Sequence, residues 1–362
     1  MSATDGNQDD VWTAAAKGRG IDFDAIARPL ADTIARQIGV TDVTVTDLRS
    51  PTGAGTSSAT ILFTATWLGG GAGQRRDLVV RTHPDKVQLY RTPDFRKQYD
   101  VIAALHRSAR VRVPEALFYE DDASVLGVPF FVMEQLHGRV PVSFPGYNAS
   151  GFLYDATPAQ RRVAWTTAVE ELCRIARVPA EEMHFLDRPE LGASGLEQQL
   201  EYWRGSIDWA TGNRTPDAVR DLYAWLAAHL PGERASGFAW GDARIGNMMF
   251  GDDFRLVGVM DWEAANLSGR RQDLAWWVFF DEFNAEARGL RRLDGLGTRE
   301  ETIALWEDRV GERAGDLGWY EVFTGFQVCL FGIRTKLVLG VAGALDLETN
   351  QGFRMARQRL GW

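Results

Sequence analysis

The chain is short of cysteine, of lysine and of long apolar runs, and each shortage narrows what it can be. Its 362 residues include two cysteines, Cys173 and Cys329, far apart and each inside an apolar, helix-like stretch. They read as buried thiols rather than as a disulfide, which fits a reducing, cytoplasmic setting. The five histidines (His83, His106, His137, His184 and His229) are scattered, and no Cys/His grouping has the spacing of a zinc site. No segment approaches the roughly 20 uninterrupted apolar residues that cross a bilayer. Residues 1–10 are polar and acidic rather than basic-then-apolar, so no membrane partner is expected. An excess of basic charge is missing too, since 40 Lys and Arg against 49 Asp and Glu leave a net charge of −9. That balance argues against nucleic acid as a partner, because a phosphate backbone is held by basic patches.

What remains is an ordinary globular composition, 45% apolar and 25% charged, at a length that suggests two domains or lobes. The informative segment is Trp240-Gly241-Asp242-Ala243-Arg244-Ile245-Gly246-Asn247, resumed fourteen residues later by Asp261-Trp262-Glu263. Gly241 and Gly246 permit sharp turns inside it. Met248-Met249-Phe250 and Leu256-Val257-Gly258-Val259-Met260 read as two strands, joined into a hairpin by Gly251-Asp252-Asp253. Such a hairpin brings Asn247 beside Asp261. An aspartate, an asparagine five positions on, and a second aspartate past a hairpin form the pattern of a phosphoryl-transfer loop. In that chemistry Asp242 orients the acceptor hydroxyl, while Asn247 and Asp261 hold Mg²⁺ against the nucleotide phosphates. Asp and Asn singly favour turns; three in register, in a strand–turn context, carry the reading. Arg244 can neutralise the transferring phosphoryl group or be an ordinary solvated arginine.

Upstream, Ile26, Leu30, Ile34 and Ile38 fall at helical spacing and predict an amphipathic helix over residues 23–38. Residues 43–48 and 60–67 alternate as strands. Between them Gly53, Gly55, Thr56, Ser57 and Ser58 form a glycine- and serine-rich turn. It is either a loop whose N–H groups cover nucleotide phosphates or a plain hairpin connection. Leu78-Val79-Val80-Arg81 predicts another strand, followed by a helix over 94–107. A kinase usually ends that strand in a lysine paired with a glutamate on the next helix. The chain's four lysines (Lys17, Lys86, Lys97 and Lys336) miss the strand, so the matching residues are Arg81 and Gln98. Arg81 keeps the charge and can bind phosphate in a bidentate manner; Gln98 offers a hydrogen bond but no ion pair. Residues 129–136 read as a buried strand running into a connector at Gly138.

Residues 240–276 resemble the signature of the aminoglycoside phosphotransferase and choline kinase-like family, a branch of the protein-kinase-like fold. Trp240-Gly241-Asp242, Asn247, Asp261-Trp262-Glu263 and Asp273-Leu274-Ala275-Trp276 stand where the family has His-Gly-Asp, Asn, Asp-Trp/Phe-Glu and Asp-Leu-Ala. The resemblance covers about residues 43–334. It implies an α+β, bilobal fold, with a strand-rich nucleotide-binding lobe over 1–134 and a mostly helical lobe over 135–362 carrying the catalytic loop and acceptor site. It further implies Asp242 as catalytic base, Asn247 and Asp261 as Mg²⁺ ligands, Asp273 as a brace for the loop, and ATP or GTP as phosphate donor. Main-chain groups around Glu134, Gln135 and Leu136 would form the hinge that meets adenine, although a plain interdomain linker reads the same. The family histidine is Trp240 here, at a position that is usually structural. The pattern is also similar to kinase-like domains found with acyl-CoA dehydrogenases, some of which phosphorylate hydroxyacyl-CoA thioesters.

For the acceptor, the residues after Asp273 are rich in aromatics at helical spacing, among them Trp276, Trp277, Phe279, Phe280 and Phe283. Most such residues build core, and some must line an acceptor cleft. A polycationic aminoglycoside needs clustered carboxylates, of which Asp281, Glu282 and Glu263 are the candidates, in surroundings more apolar than such a substrate favours. The expectation is a small, hydroxylated, partly hydrophobic acceptor. An antibiotic phosphotransferase and a nucleotide-binding pseudokinase are the alternatives. A protein kinase is disfavoured because Asp273 follows Asp261 too closely for an activation segment.

Overall fold

In a computed structural model of the chain, residues 22–51, 60–69, 72–83, 88–143, 146–232 and 237–362 are described. The chain divides into two compact units, Met1–Leu89 with Pro114–Gln135, and Tyr90–Val113 with Leu136–Trp362.

The first unit opens with α1 (Phe23–Ile38), whose first turn is capped by the Asp22 carboxylate accepting from the N–H groups of Asp24 and Ala25, both at 3.1 Å. Gly39, at φ 70°, ends it in the left-handed conformation that glycine adopts without strain. There follow β1 (Thr41–Arg49), β2 (Thr60–Gly69), β3 (Ala72–Thr82), β4 (Ala116–Glu120) and β5 (Phe130–Glu134). They form one antiparallel sheet in the order β1-β2-β3-β5-β4. The two-residue period of a strand sends Ile61, Phe63 and Ala65 of β2, and Leu78 and Val80 of β3, to one buried face. Leu30 and Ile34 of α1 join the same core, with Phe118, Phe130 and Val132. Each such large side chain contributes about 1.5–3 kcal/mol by leaving water.

The second unit is mostly helical: α2 (Phe95–Ser108), α3 (Phe152–Asp155), α4 (Pro158–Ile175), α5 (Gly195–Ala210) and α6 (Asp217–Ala228) come first. The hairpin β6 (Met248–Phe250) and β7 (Leu256–Val259) follows, then α7 (Arg270–Asn284), α8 (Arg299–Val310), α9 (Gly318–Val338) and α10 (Gln351–Leu360). Thr157, Ser194 and Thr298 start α4, α5 and α8 with reciprocal capping boxes to Gln160, Glu197 and Glu301. α2, which the 1–134 reading groups with the strands, clusters with the helices. Its contacts explain why. Asp94 pairs with Arg188 at 3.2 Å, Lys97 donates to the Ala265 carbonyl at 3.1 Å, and beyond its C-terminus Arg110 pairs with Glu182 at 3.3 Å. The Arg112 main chain donates to the fully buried Glu171 at 2.5 Å and accepts from the Val259 N–H at 2.8 Å. Among the described residues, no helix is long and apolar enough to cross a membrane.

Candidate active site

The hairpin β6–β7 forms as its turn residues predict, and it places the motif. Met248 pairs with Val259, and the Met260 N–H donates to the Asn247 carbonyl at 2.9 Å, so Asp261 leaves the hairpin beside Asn247. The preceding segment, residues 237–239, is not a regular strand. Gly237 and Ala239 make only isolated bridges, to Ser268 and Asn266. Gly241 then turns at φ 86°, and a Cβ on it would overlap the Ala264 carbonyl, so the catalytic loop and the loop after Asp261 touch through a position only glycine fits.

Asp242 is held on both carboxylate oxygens. Trp276 Nε1 donates to Oδ1 at 2.9 Å, Asn247 Nδ2 to Oδ2 at 2.6 Å, and Arg244 Nε to both at 3.1 Å. Arg244 is therefore engaged with the catalytic loop rather than solvated; it also reaches Ser143 Oγ at 3.2 Å and lies 6.0 Å from the Phe280 ring. Burial works against its charge, but the carboxylates of Asp242 and Asp261 outweigh burial and hold its pKa above the ordinary arginine value. Asp273, buried on α7, accepts from the main-chain N–H groups of Trp240 and Gly241 at 2.7 and 2.9 Å. Burial lifts its carboxyl to about 7, against those two hydrogen bonds, with Asp242 adding to the rise. Trp240, in the place of the family histidine, is fully buried and its indole donates to the carbonyls of Met260 and Asp261 at 3.0 and 3.1 Å. It ties the two loops together.

Asp261 has φ 63°, the left-handed region that a non-glycine residue occupies only when its surroundings hold it there. A carboxylate and an amide oxygen suit a hard cation such as Mg²⁺. The Asn247 amide nitrogen is already committed to Asp242, to its carbonyl at 3.1 Å as well as to its side chain, which leaves the amide oxygen for a cation. Among the described residues there is no group of three or more His, Cys, Asp or Glu suited to a metal.

Beside Arg244 lies a small cavity lined by Tyr147, Trp165, Trp277, Phe280, Asp281 and Leu296. Two of the acidic candidates for a cationic acceptor are neutralised within the chain. Asp281 accepts from Arg292 Nε at 2.7 Å and from the Tyr147 hydroxyl at 3.3 Å, and Glu282 pairs with Arg359 at 2.8 Å. Tyr90, which precedes α2, packs edge-on against Phe331 with ring centroids 5.1 Å apart. Burial, then the nearby carboxylates of Glu263, Asp242 and Asp261, push its phenol well above the ordinary value. No spacing in the sequence points to Tyr90 or Ser143 as neighbours of this loop; Trp276 lies inside a quoted motif, but its bond to Asp242 could not be read there.

The remaining site candidates, Leu136 excepted, belong to the first unit. Gly53, Gly55, Thr56, Ser57 and Ser58 lie outside the described residues. Arg81 is on β3 opposite Phe131, and its buried Nε has no hydrogen-bond partner among the described residues. Gln98, by contrast, belongs to the second unit. The N–H of Glu134 donates to the Glu115 carbonyl and that of Gln135 to the Asp77 carbonyl, both at 2.9 Å. Those two donors are thus occupied within the first unit, whereas Leu136 belongs to the second unit.

Residues 51–306 match the model of the phosphotransferase enzyme family, and the chain belongs to that family. It is similar to acyl-CoA dehydrogenase family member 10 of Mus musculus, 26% identical over 302 residues that make up 79% of this chain and 27% of that protein. The chain spans about a quarter of the length of the curated relatives it matches. Among solved structures it is similar in fold to a putative aminoglycoside phosphotransferase from Ralstonia eutropha, with a TM-score of 0.65 and 23% identity over 91% of this chain and 98% of that one. A thermostable variant of an aminoglycoside phosphotransferase, solved as a ternary complex with AMP-PNP and hygromycin B, shares the fold at a TM-score of 0.53 and 16% identity, covering 92% of this chain and 99% of that one. The chain is thus a member of the phosphotransferase enzyme family with the kinase-like α+β fold.

Proposed function

We propose that this phosphotransferase moves the γ-phosphate of ATP, with GTP as the alternative donor, to a hydroxyl of a partly hydrophobic acceptor of the hydroxyacyl-CoA thioester class. The observation that carries the reaction type is Asp242, fixed by Trp276 and Asn247 while Arg244 shares one N–H between its two oxygens at 3.1 Å. A shared hydrogen bond is the weakest of the three. The acceptor hydroxyl takes its place, donating to Asp242, while Arg244 turns its charge onto the phosphoryl group. Asp242 orients the hydroxyl and accepts its proton late, as a loose transition state requires. Asn247 and Asp261 would hold Mg²⁺, which supplies charge neutralisation at the nucleotide phosphates when bound. Arg81 and the glycine- and serine-rich sequence at 53–58 are assigned to the nucleotide, and its adenine to the chain around Glu134–Leu136.

The acceptor assignment has two supports. The cavity beside Arg244 is aromatic, and the carboxylates Asp281 and Glu282 are committed to arginines, which disfavours a polycationic antibiotic. The similarity to acyl-CoA dehydrogenase family proteins supports a thioester. The test is ADP release from Mg²⁺-ATP with a panel of hydroxyacyl-CoAs, aminoglycosides and macrolides. Asp242→Ala should lower turnover by about 10²–10⁴-fold while leaving nucleotide affinity and the folded state intact. Full activity in that variant would remove the mechanism, and turnover confined to an antibiotic would replace the acceptor.

A further inference from the structure

Lys97 is one of four lysines in the chain, and the motif chemistry does not use it. It lies on the first turn of α2 and is turned inward, its ammonium donating to the Ala265 carbonyl at 3.1 Å. Among the described residues that is its one hydrogen bond, and no carboxylate lies within ion-pair distance. Burial lowers its pKa to about 8, opposed by the carboxylates of Asp94 and Glu263 and reinforced by Arg188, so the group is still largely protonated at neutral pH.

The carbonyl it holds belongs to the turn that follows Asp261. The Ala265 N–H donates to the Trp262 carbonyl at 3.1 Å, closing that turn, and the Ala264 carbonyl accepts from Asn266 Nδ2 at 2.8 Å. On its other side Ala264 lies against Gly241, with no room for a Cβ between them. The turn is therefore clamped between α2 and the catalytic loop, and Asp261 at its head keeps a left-handed φ of 63°. A strained conformation of this kind persists only where neighbours over-determine it. A charge-assisted bond from a part-buried ammonium restrains the turn from the α2 side.

We propose that Lys97 is a positioning residue for the loop that bears Asp261, holding the Ala264–Ala265 turn so that the Asp261 carboxylate stays aimed beside Asn247. The proposal rests on the reading of Asp261 as a cation ligand. It is tested on the full chain with Lys97→Met and Lys97→Arg, alongside Asp261→Ala. The readouts are Mn²⁺ affinity with a non-hydrolysable ATP analogue, amide exchange across residues 261–267, and the split between kcat and the acceptor KM. Lys97→Met should weaken Mn²⁺ by about 10- to 100-fold, as loss of a group supporting a metal ligand typically does. It should also speed exchange in the turn and lower kcat with the acceptor KM unchanged, and Lys97→Arg should restore most of each. Unchanged Mn²⁺ affinity and exchange in Lys97→Met would overturn the proposal. So would a loss that Lys97→Arg fails to reverse and that tracks a lowered Tm, since that marks a general packing role. Faster exchange in Lys97→Met combined with normal Mn²⁺ binding by Asp261→Ala would instead overturn the metal reading and leave the hold on the turn standing.

Discussion

Asp273 is 1% exposed and accepts from two consecutive main-chain N–H groups, so its ionisation is linked to the catalytic loop. Its carboxyl is raised from an ordinary 3.8 to about 7, chiefly by burial. The sign follows from proton counting. Between those two values the folded chain holds a proton that the unfolded chain has released, so the contribution of Asp273 to stability is largest below pH 3.8 and declines as pH rises to about 7. Asp273→Asn removes this titration and turns an amide NH₂ towards a main-chain N–H, at a cost of about 1–3 kcal/mol. Denaturant unfolding of both proteins should show their stability gap narrowing as pH rises through that window. A gap that is flat with pH would mean that Asp273 is ionised throughout. Asp242, Asn247 and Asp261 were legible as a spaced set, because a short hairpin brings them together locally, while Asp273 came from the family resemblance. The donors on Asp242 were not equally legible: nothing in the spacing told whether Arg244 would bond to it or face solvent.

Helix α5 shows how an element is placed by one small residue. Ser194 caps it with a reciprocal bond to Glu197, which the Ser-Gly-Leu-Glu run at 194–197 encodes. Gly195, at its first position, lies so close to the Leu267 carbonyl that a Cβ there would overlap it. The helix start thus abuts the 266–268 segment, which in turn bridges to Gly237 and Ala239 just ahead of the catalytic loop. Gly195→Ala should destabilise by about 1–3 kcal/mol through overpacking, measured by denaturant unfolding, with a fall in kcat because the displaced segment leads into Trp240. Wild-type stability in that variant would show that the helix can move away without consequence. From the sequence, α1, α2 and the β6–β7 hairpin were readable, but not α5 or its cap. The segment 237–239 was not, because its pairing partners lie some thirty residues downstream and make bridges rather than a ladder.

Across the second unit, the C-terminal helices close the packing behind α7. Glu321 of α9 is buried and bonded by both Arg299 and Arg359, while Arg359 of α10 also pairs with Glu282 of α7 and lies 4.9 Å from the Phe279 ring. α10 packs on α9 through Gly352 and Gly325, neither of which has room for a Cβ. Removing one partner from a buried ion network strands the others, so Arg359→Ala should cost up to about 3 kcal/mol, less than a complete loss because Arg299 remains. A thermal melt against wild type measures it, and an unchanged Tm would show that Arg299 alone satisfies Glu321. Glu321, Gly325, Gly352 and Arg359 lie beyond the 51–306 span of the family match, whereas Phe279, Glu282 and Arg299 lie within it.

The sequence by itself determined the reaction class, since an aspartate, an asparagine and a second aspartate around a hairpin are brought together by contacts only a few residues long. It also determined four of the five strands of the first unit and the helical character of the second, through period-2 and period-3.6 patterns that need no knowledge of distant partners. Tertiary structure alone decided that α2 joins the helical unit, that Lys97 reaches the turn after Asp261, and that Asp281 and Glu282 are neutralised rather than open. Each of these depends on side chains meeting from segments far apart in the chain, and burial and ion pairing of that kind leave no local periodicity to read.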